Sequence, residues 1–187
     1  MNQRYSVASG FSRTSIGFIL LIVAGVIVGA QPRGGATLTP QDYIEIQQLV
    51  RKYAWALDSG DNFGYAYADL FTPDAVFVGM NQAPGGRSYQ GRDALAALAR
   101  TPAGGPNNQR HFTMNHVITP GPRQGSGQAG RATGRAYVVM LDIGIVGKPN
   151  AVSHGGHYED VYEKTSLGWR FKRRTYWESK VDTWPGK

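Results

Sequence analysis

Between residues 38 and 77 the apolar positions fall into a helical rhythm. Ile46, Val50, Tyr53 and Leu57 form one stripe, flanked by Tyr43, Leu49 and Ala54, and this spacing predicts a long amphipathic helix with one core-facing side. Thr39-Pro40-Gln41-Asp42 predicts its start: a capping hydroxyl, proline at the first helical position and an acid three residues after the cap. Asp58-Ser59-Gly60-Asp61 predicts its end. A shorter helix over 61–70, stopped by Thr72-Pro73-Asp74, and a short strand over 75–78 follow.

Beyond residue 79 the rhythm changes. A Gly/Pro-rich loop over 79–89 leads to a short helix over 91–100, with Asp93 in its first turn. Residues 111–119 alternate as a strand. Strict alternation puts Phe112, Met114, His116 and Ile118 on a packed face and His111, Thr113, Asn115 and Val117 on a polar one. A strand over 131–145 and a hairpin of 152–164 with 169–177, turning at Ser166-Leu167-Gly168, complete the pattern. Helices first and strands after them predict an α+β fold, a curved antiparallel sheet wrapped around the long N-terminal helix.

The N-terminus reads differently. Residues 1–15 hold Arg4, Arg13 and no acid, residues 16–30 are apolar throughout, and Val28-Gly29-Ala30 ends the run in small residues. This predicts a secretory signal peptide over 1–30 and export to the periplasm or beyond the cell. The run is shorter than the ~20 residues of a comfortable membrane span; an uncleaved N-terminal anchor is the alternative. A linker over 31–37, one domain over 38–180 and a tail over 181–187 complete the expected organisation. The leader carries two of the 20 basic residues and none of the 13 acidic ones, which leaves +5 for the remainder. Those basic residues are scattered, apart from Lys172-Arg173-Arg174, without the interleaved aromatics of a nucleic-acid track. With no cysteine, neither a disulfide nor a thiol nucleophile exists.

Three residues stand out chemically. Asp58 lies where the first helix ends, as a turn or capping acid or as part of a site. On a regular helix it falls roughly 110° from the centre of the apolar stripe that holds Tyr53, at about 100° per residue. His111 opens a strand whose polar face suits a cavity wall, or it is an ordinary satisfied or exposed histidine. Asp142 interrupts the apolar run Tyr137–Ile145, so it is either a buried, paired carboxylate or a strand-end residue near Gly144. His154, His157 and Glu159 are close in sequence but form no recognisable metal set, and no phosphate loop, dinucleotide fingerprint or nucleophile elbow is present.

The Tyr53-x-x-x-x-Asp58 helix, "LFTPDAVF", "YQGRDALAAL", "RHFTMNHVI" and "GHYEDVYEKTSLGWRFKRR", in this order, resemble the SnoaL-like branch of the nuclear transport factor two-like superfamily over residues 38 to about 177. The resemblance implies a cone-shaped α+β roll enclosing an apolar pocket, and commonly a homo-oligomer, dimer or trimer. The site pattern is most similar to the scytalone dehydratase and bile-acid 7α-dehydratase types. It implies that Asp58 orients His111 as a general acid/base, that Tyr53 polarises a carbonyl, and that Asp142 assists on the following strand. One departure is Val78-Gly79, where the scytalone enzyme carries a tyrosine. The implied activity is that of a lyase (dehydratase) or isomerase needing neither metal nor organic cofactor, acting on a hydrophobic ring-containing carbonyl compound. Arg173, Asn115 and Trp55 are the expected substrate contacts, with Lys172 or Arg174 replacing Arg173 if the strand parity is reversed. Epoxide hydrolysis by Asp58, Asp142 and Arg173 or Arg174 stays open, as does a non-catalytic ligand-binding or interaction module of the same fold.

Overall fold

Thr39 and Asp42 close the reciprocal cap that the sequence predicts. The Asp42 backbone N–H donates to Thr39 Oγ1 at 3.2 Å, and the Thr39 backbone N–H donates to Asp42 Oδ2 at 2.9 Å. From this cap, helix α1 runs over Pro40–Ser59 in the computed structural model, which describes residues 37–79, 87–100, 108–121 and 130–179. The expected leader, almost all of the linker, and the C-terminal tail lie outside the described residues. Helix α1 stops at Gly60, whose φ of 64° is the left-handed conformation that glycine adopts without steric cost.

A 3-10 turn, Asp61–Gly64, and a single helical turn, α2 (Tyr65–Ala68), take the place of the one short helix expected over 61–70. Strand β1 is longer than expected, Phe71–Val78, and a short strand β2, Ser88–Gln90, spans the end of the predicted loop. Helix α3 (Arg92–Arg100) and strands β3 (Gln109–Pro120), β4 (Arg131–Asp142), β5 (Ala151–Thr165) and β6 (Gly168–Glu178) follow the sequence pattern closely.

The six strands form one curved, open sheet in the order β2-β1-β6-β5-β4-β3. Pairings among β3, β4, β5 and β6 are antiparallel, as is β1 with β2, but β1 runs parallel to β6. One parallel pairing therefore enters a sheet expected to be antiparallel throughout. Helix α1 crosses one face against β3 and β6 and buries Ile46, Leu49, Val50, Tyr53 and Leu57, the predicted stripe. Asp42 also accepts from Trp169 Nε1 at 2.8 Å and Lys164 Nζ at 2.6 Å, which ties the start of α1 to the β5–β6 hairpin.

Two irregularities decide which side chains face α1. Met114 pairs with Tyr137 and Val117 with Arg135, so β3 has one more residue than β4 across this interval. Asn115 takes up the excess at φ 54°. Likewise Tyr162 pairs with Phe171 and Val161 with Arg173, which places one extra residue, Lys172, in β6.

Candidate functional site

Helix α1 remains regular through Asp58, yet the carboxylate reaches the sheet, because β3 begins beside the end of the helix. His111 Nδ1 meets Asp58 Oδ1 at 2.5 Å, and the His111 backbone N–H donates to Asp58 Oδ2 at 2.9 Å. One carboxylate thus fixes both the ring and the backbone of His111. The side chains are only 6% (His111) and 11% (Asp58) exposed. In the tautomer that donates from Nδ1 to the Asp58 carboxylate, Nε2 is the ring's free acceptor. This is the geometry of an oriented imidazole base.

Asp142 is the last residue of β4, so the strand ends three residues earlier than predicted. Register nevertheless places it on the α1 side: His111 pairs with Met140, and Gln109 with Asp142. Side chains of directly paired residues share a face, and rows two residues apart share it as well. Asp142 therefore occupies the row adjacent to that of His111.

Tyr53 is fully buried, with its ring against Tyr67 at 5.2 Å, Tyr158 at 5.5 Å and Phe171 at 5.7 Å between centroids. Its hydroxyl has no hydrogen-bond partner of good geometry among the described residues, although two other phenols are its neighbours. Burial raises the Tyr53 pKa, against the pull of the Arg174 cation, so at neutral pH the hydroxyl keeps its proton. Tyr53 packs toward β1, β5 and β6, whereas Asp58 reaches β3.

Three expected substrate contacts lie elsewhere. Trp55 is 80% exposed on the solvent side of α1, opposite the buried stripe. Asn115 is the exposed bulge residue of β3, and the same bulge reverses the predicted parity before it: Phe112 and Met114 are exposed, while His111 and Thr113 face inward. Val117, predicted on the polar cavity face, is likewise exposed on the outer side. The extra residue Lys172 turns Arg173 outward, where with Val117, Thr133, Arg135 and Thr175 it lines a groove of about 490 Å³ on the opposite face of the sheet. Arg174 turns inward instead.

Arg174 belongs to a buried network that sequence reasoning missed. Its Nε and Nη2 donate to Asp160 Oδ1 and Oδ2, both at 2.7 Å, and neither side chain is exposed at all. Tyr162 Oη donates to Asp160 Oδ2 at 2.6 Å and lies 2.9 Å from His116 Nε2. The guanidinium stacks over the rings of Tyr53, Tyr158 and Phe171 at 4.0–4.2 Å. With Arg173 on the other face and Arg174 committed to Asp160, neither of the two arginines expected in an epoxide-opening set is free to join Asp58 and Asp142. The signal was present in Tyr158-x-Asp160-x-Tyr162, where a carboxylate takes the place of an apolar residue on the inward face. Among the described residues, no group of three or more His, Asp or Glu side chains is gathered to hold a metal ion.

The family model of the SnoaL-like domain matches residues 39–175. Among solved structures, the chain is similar to a nuclear transport factor two-like protein with a cystatin-like fold from Novosphingobium aromaticivorans, with 24% identity, TM-score 0.60, and coverage of 78% of this chain and 85% of that one. It is also similar to a candidate scytalone dehydratase from the same organism, at 23% identity and TM-score 0.56 over 75% and 85% of the two chains. ActVI-ORFA from Streptomyces coelicolor matches at 20% identity and TM-score 0.56, over 74% of this chain and 98% of its own. At these identities the likeness shows the fold. No curated protein matches the chain.

Proposed function

The chain belongs to the SnoaL-like domain family, and on that premise we propose that it is a lyase or isomerase that moves protons on a hydrophobic ring-containing carbonyl compound, with the Asp58–His111 pair as its acid/base. The observation that carries this reading is the two-point grip of Asp58 on His111. A carboxylate that fixes both the ring and the backbone of one histidine leaves Nε2 as its only proton acceptor. The likeness to a candidate scytalone dehydratase agrees with this chemistry.

In the dehydratase direction His111 Nε2 takes the proton α to the carbonyl, and electron density moves onto the carbonyl oxygen. The enolate then re-forms the carbonyl while the β-carbon–oxygen bond breaks, and the proton held by His111 leaves with the hydroxide as water. Tyr53, whose buried hydroxyl keeps its proton and has no hydrogen-bond partner of good geometry among the described residues, is the donor assigned to the oxygen that gains charge. The role of positioning the departing hydroxyl falls to Asp142 in this reading, supported by its register one row from His111. Return of the proton to another carbon instead gives an isomerase.

The test is elimination of 3-hydroxy-1-tetralone to 1-naphthol, followed by absorbance. The wild-type protein should form naphthol above the buffer rate, and Asp58→Asn and His111→Ala should each lose at least about 100-fold, the usual contribution of general acid/base catalysis. Full activity in either folded variant contradicts the mechanism.

A further inference from the structure

Resting on the reading above, we propose that His154 is a second imidazole of the same site and holds the polar group at the far end of a ring substrate whose α-carbon faces His111. Register places it there. His111 on β3 pairs with Met140 on β4, and Met140 pairs with His154 on β5. The three side chains form one row on the face that α1 covers. The outer two Cα atoms are separated by two strand spacings, about 10 Å. A fused two-ring compound lying over Met140 bridges such a gap.

The placement of His154 is built into the strand. From Met140 to Leu141 the partner on β5 jumps from His154 to Val152, so Ser153 is an extra residue. Its hydroxyl donates to the Met140 carbonyl at 3.1 Å and pins the irregularity beside His154. Bulges of this kind re-aim a neighbouring side chain. Among the described residues, His154 Nδ1 is buried without a hydrogen-bond partner. An enclosed nitrogen left alone is better accommodated as a bare lone pair than as an N–H without an acceptor. In the tautomer with a bare Nδ1, Nε2–H is a donor for a phenolic, hydroxyl or carbonyl oxygen.

The experiment compares 1-tetralone with 6-hydroxy-1-tetralone, which adds one distal hydroxyl and, like its parent, has no β-hydroxyl to eliminate. Dissociation constants are measured by calorimetry on the full chain, and the histidine side-chain nitrogens are followed by two-dimensional NMR. Wild type should bind the hydroxylated ketone about tenfold more tightly, with the His154 nitrogens shifting only for that ligand. His154→Ala should bind both ketones equally, His154→Gln should keep part of the preference, and His111→Ala should keep all of it. An undiminished preference in His154→Ala, unmoved His154 signals, or no preference in wild type overturns the proposal. Since neither ketone can lose water, these outcomes are separate from failure of the elimination assay, which concerns His111.

Discussion

Arg174 and Asp160 form a two-point ion pair with no solvent exposure of either side chain. The pair lies under α1, and its guanidinium is enclosed by the rings of Tyr53, Tyr158 and Phe171. Asp160→Asn leaves a buried cation without its counter-charge and should cost about 3–5 kcal/mol of unfolding free energy. The double variant Asp160→Leu with Arg174→Met should lose much less than the two single losses added together, because no charge remains to desolvate. Urea unfolding measures both. A loss below about 1 kcal/mol for Asp160→Asn would show that the pair is not the buried unit described.

Asp42 predicts an acid-sensitive anchor. Burial favours its neutral form, but hydrogen bonds from Lys164, Trp169 and Thr39 outweigh burial and hold its pKa well below the ordinary carboxylate range. A depressed folded pKa contributes stability above the unfolded value, near 4, and that contribution disappears as pH falls further. Asp42→Asn should therefore be less stable than wild type at pH 7, by about 2 kcal/mol, with the gap narrowing between pH 4 and pH 2. Denaturant titrations at pH 7, 4 and 2 check this; a gap independent of pH contradicts it.

His116 has the opposite acid–base character and also weakens the fold in acid. Burial lowers its pKa, Asp160 opposes the shift, and Arg174 and Arg51 add to it. Below about pH 6.5 the unfolded chain takes up a proton that the folded chain resists, so stability falls from there downward, with a limiting slope of about 1.4 kcal/mol per pH unit. His116→Gln retains a partner for Tyr162 without titrating, and its melting temperature should change less between pH 7 and pH 5 than that of wild type. Equal slopes would remove His116 from the acid response.

Gly134 tests the packing of the same network. A Cβ there would lie 2.8 Å from Tyr162 Oη and 2.9 Å from His116 Nε2. Gly134→Ala must displace one of these groups and should cost about 1–3 kcal/mol. Thermal unfolding decides the matter, and a variant as stable as wild type would show that the contact yields freely.

These elements differ in how far the sequence revealed them. Helix α1 was legible to the residue at its cap, because Thr39, Pro40 and Asp42 act locally and the stripe of Ile46, Val50, Tyr53 and Leu57 has one period. The face of β3 was not legible past one point, since strict alternation fails wherever a strand inserts a residue. Asn115 does so at positive φ, which put Phe112 and Met114 outside. Lys172 does the same in β6 and exchanges the roles of Arg173 and Arg174. Neither bulge has a local signature as plain as a glycine. The parallel pairing of β1 with β6 depends on partners about 100 residues apart and leaves no periodic trace. Asp58 was the intermediate case: its position on the helix counted against it, and only the docking of β3 against the end of α1 delivers it to His111.

If the Asp58–His111 pair moves a proton α to a carbonyl, hydrogen exchange reveals it without requiring the right leaving group. 1-Tetralone is incubated with the protein in D2O, and loss of its C2–H signal is followed by proton NMR. Wild type should exchange these protons well above the buffer rate, with Asp58→Asn and His111→Ala each slower by about 100-fold or more. Exchange by wild type no faster than buffer, or exchange by His111→Ala equal to wild type, contradicts the account.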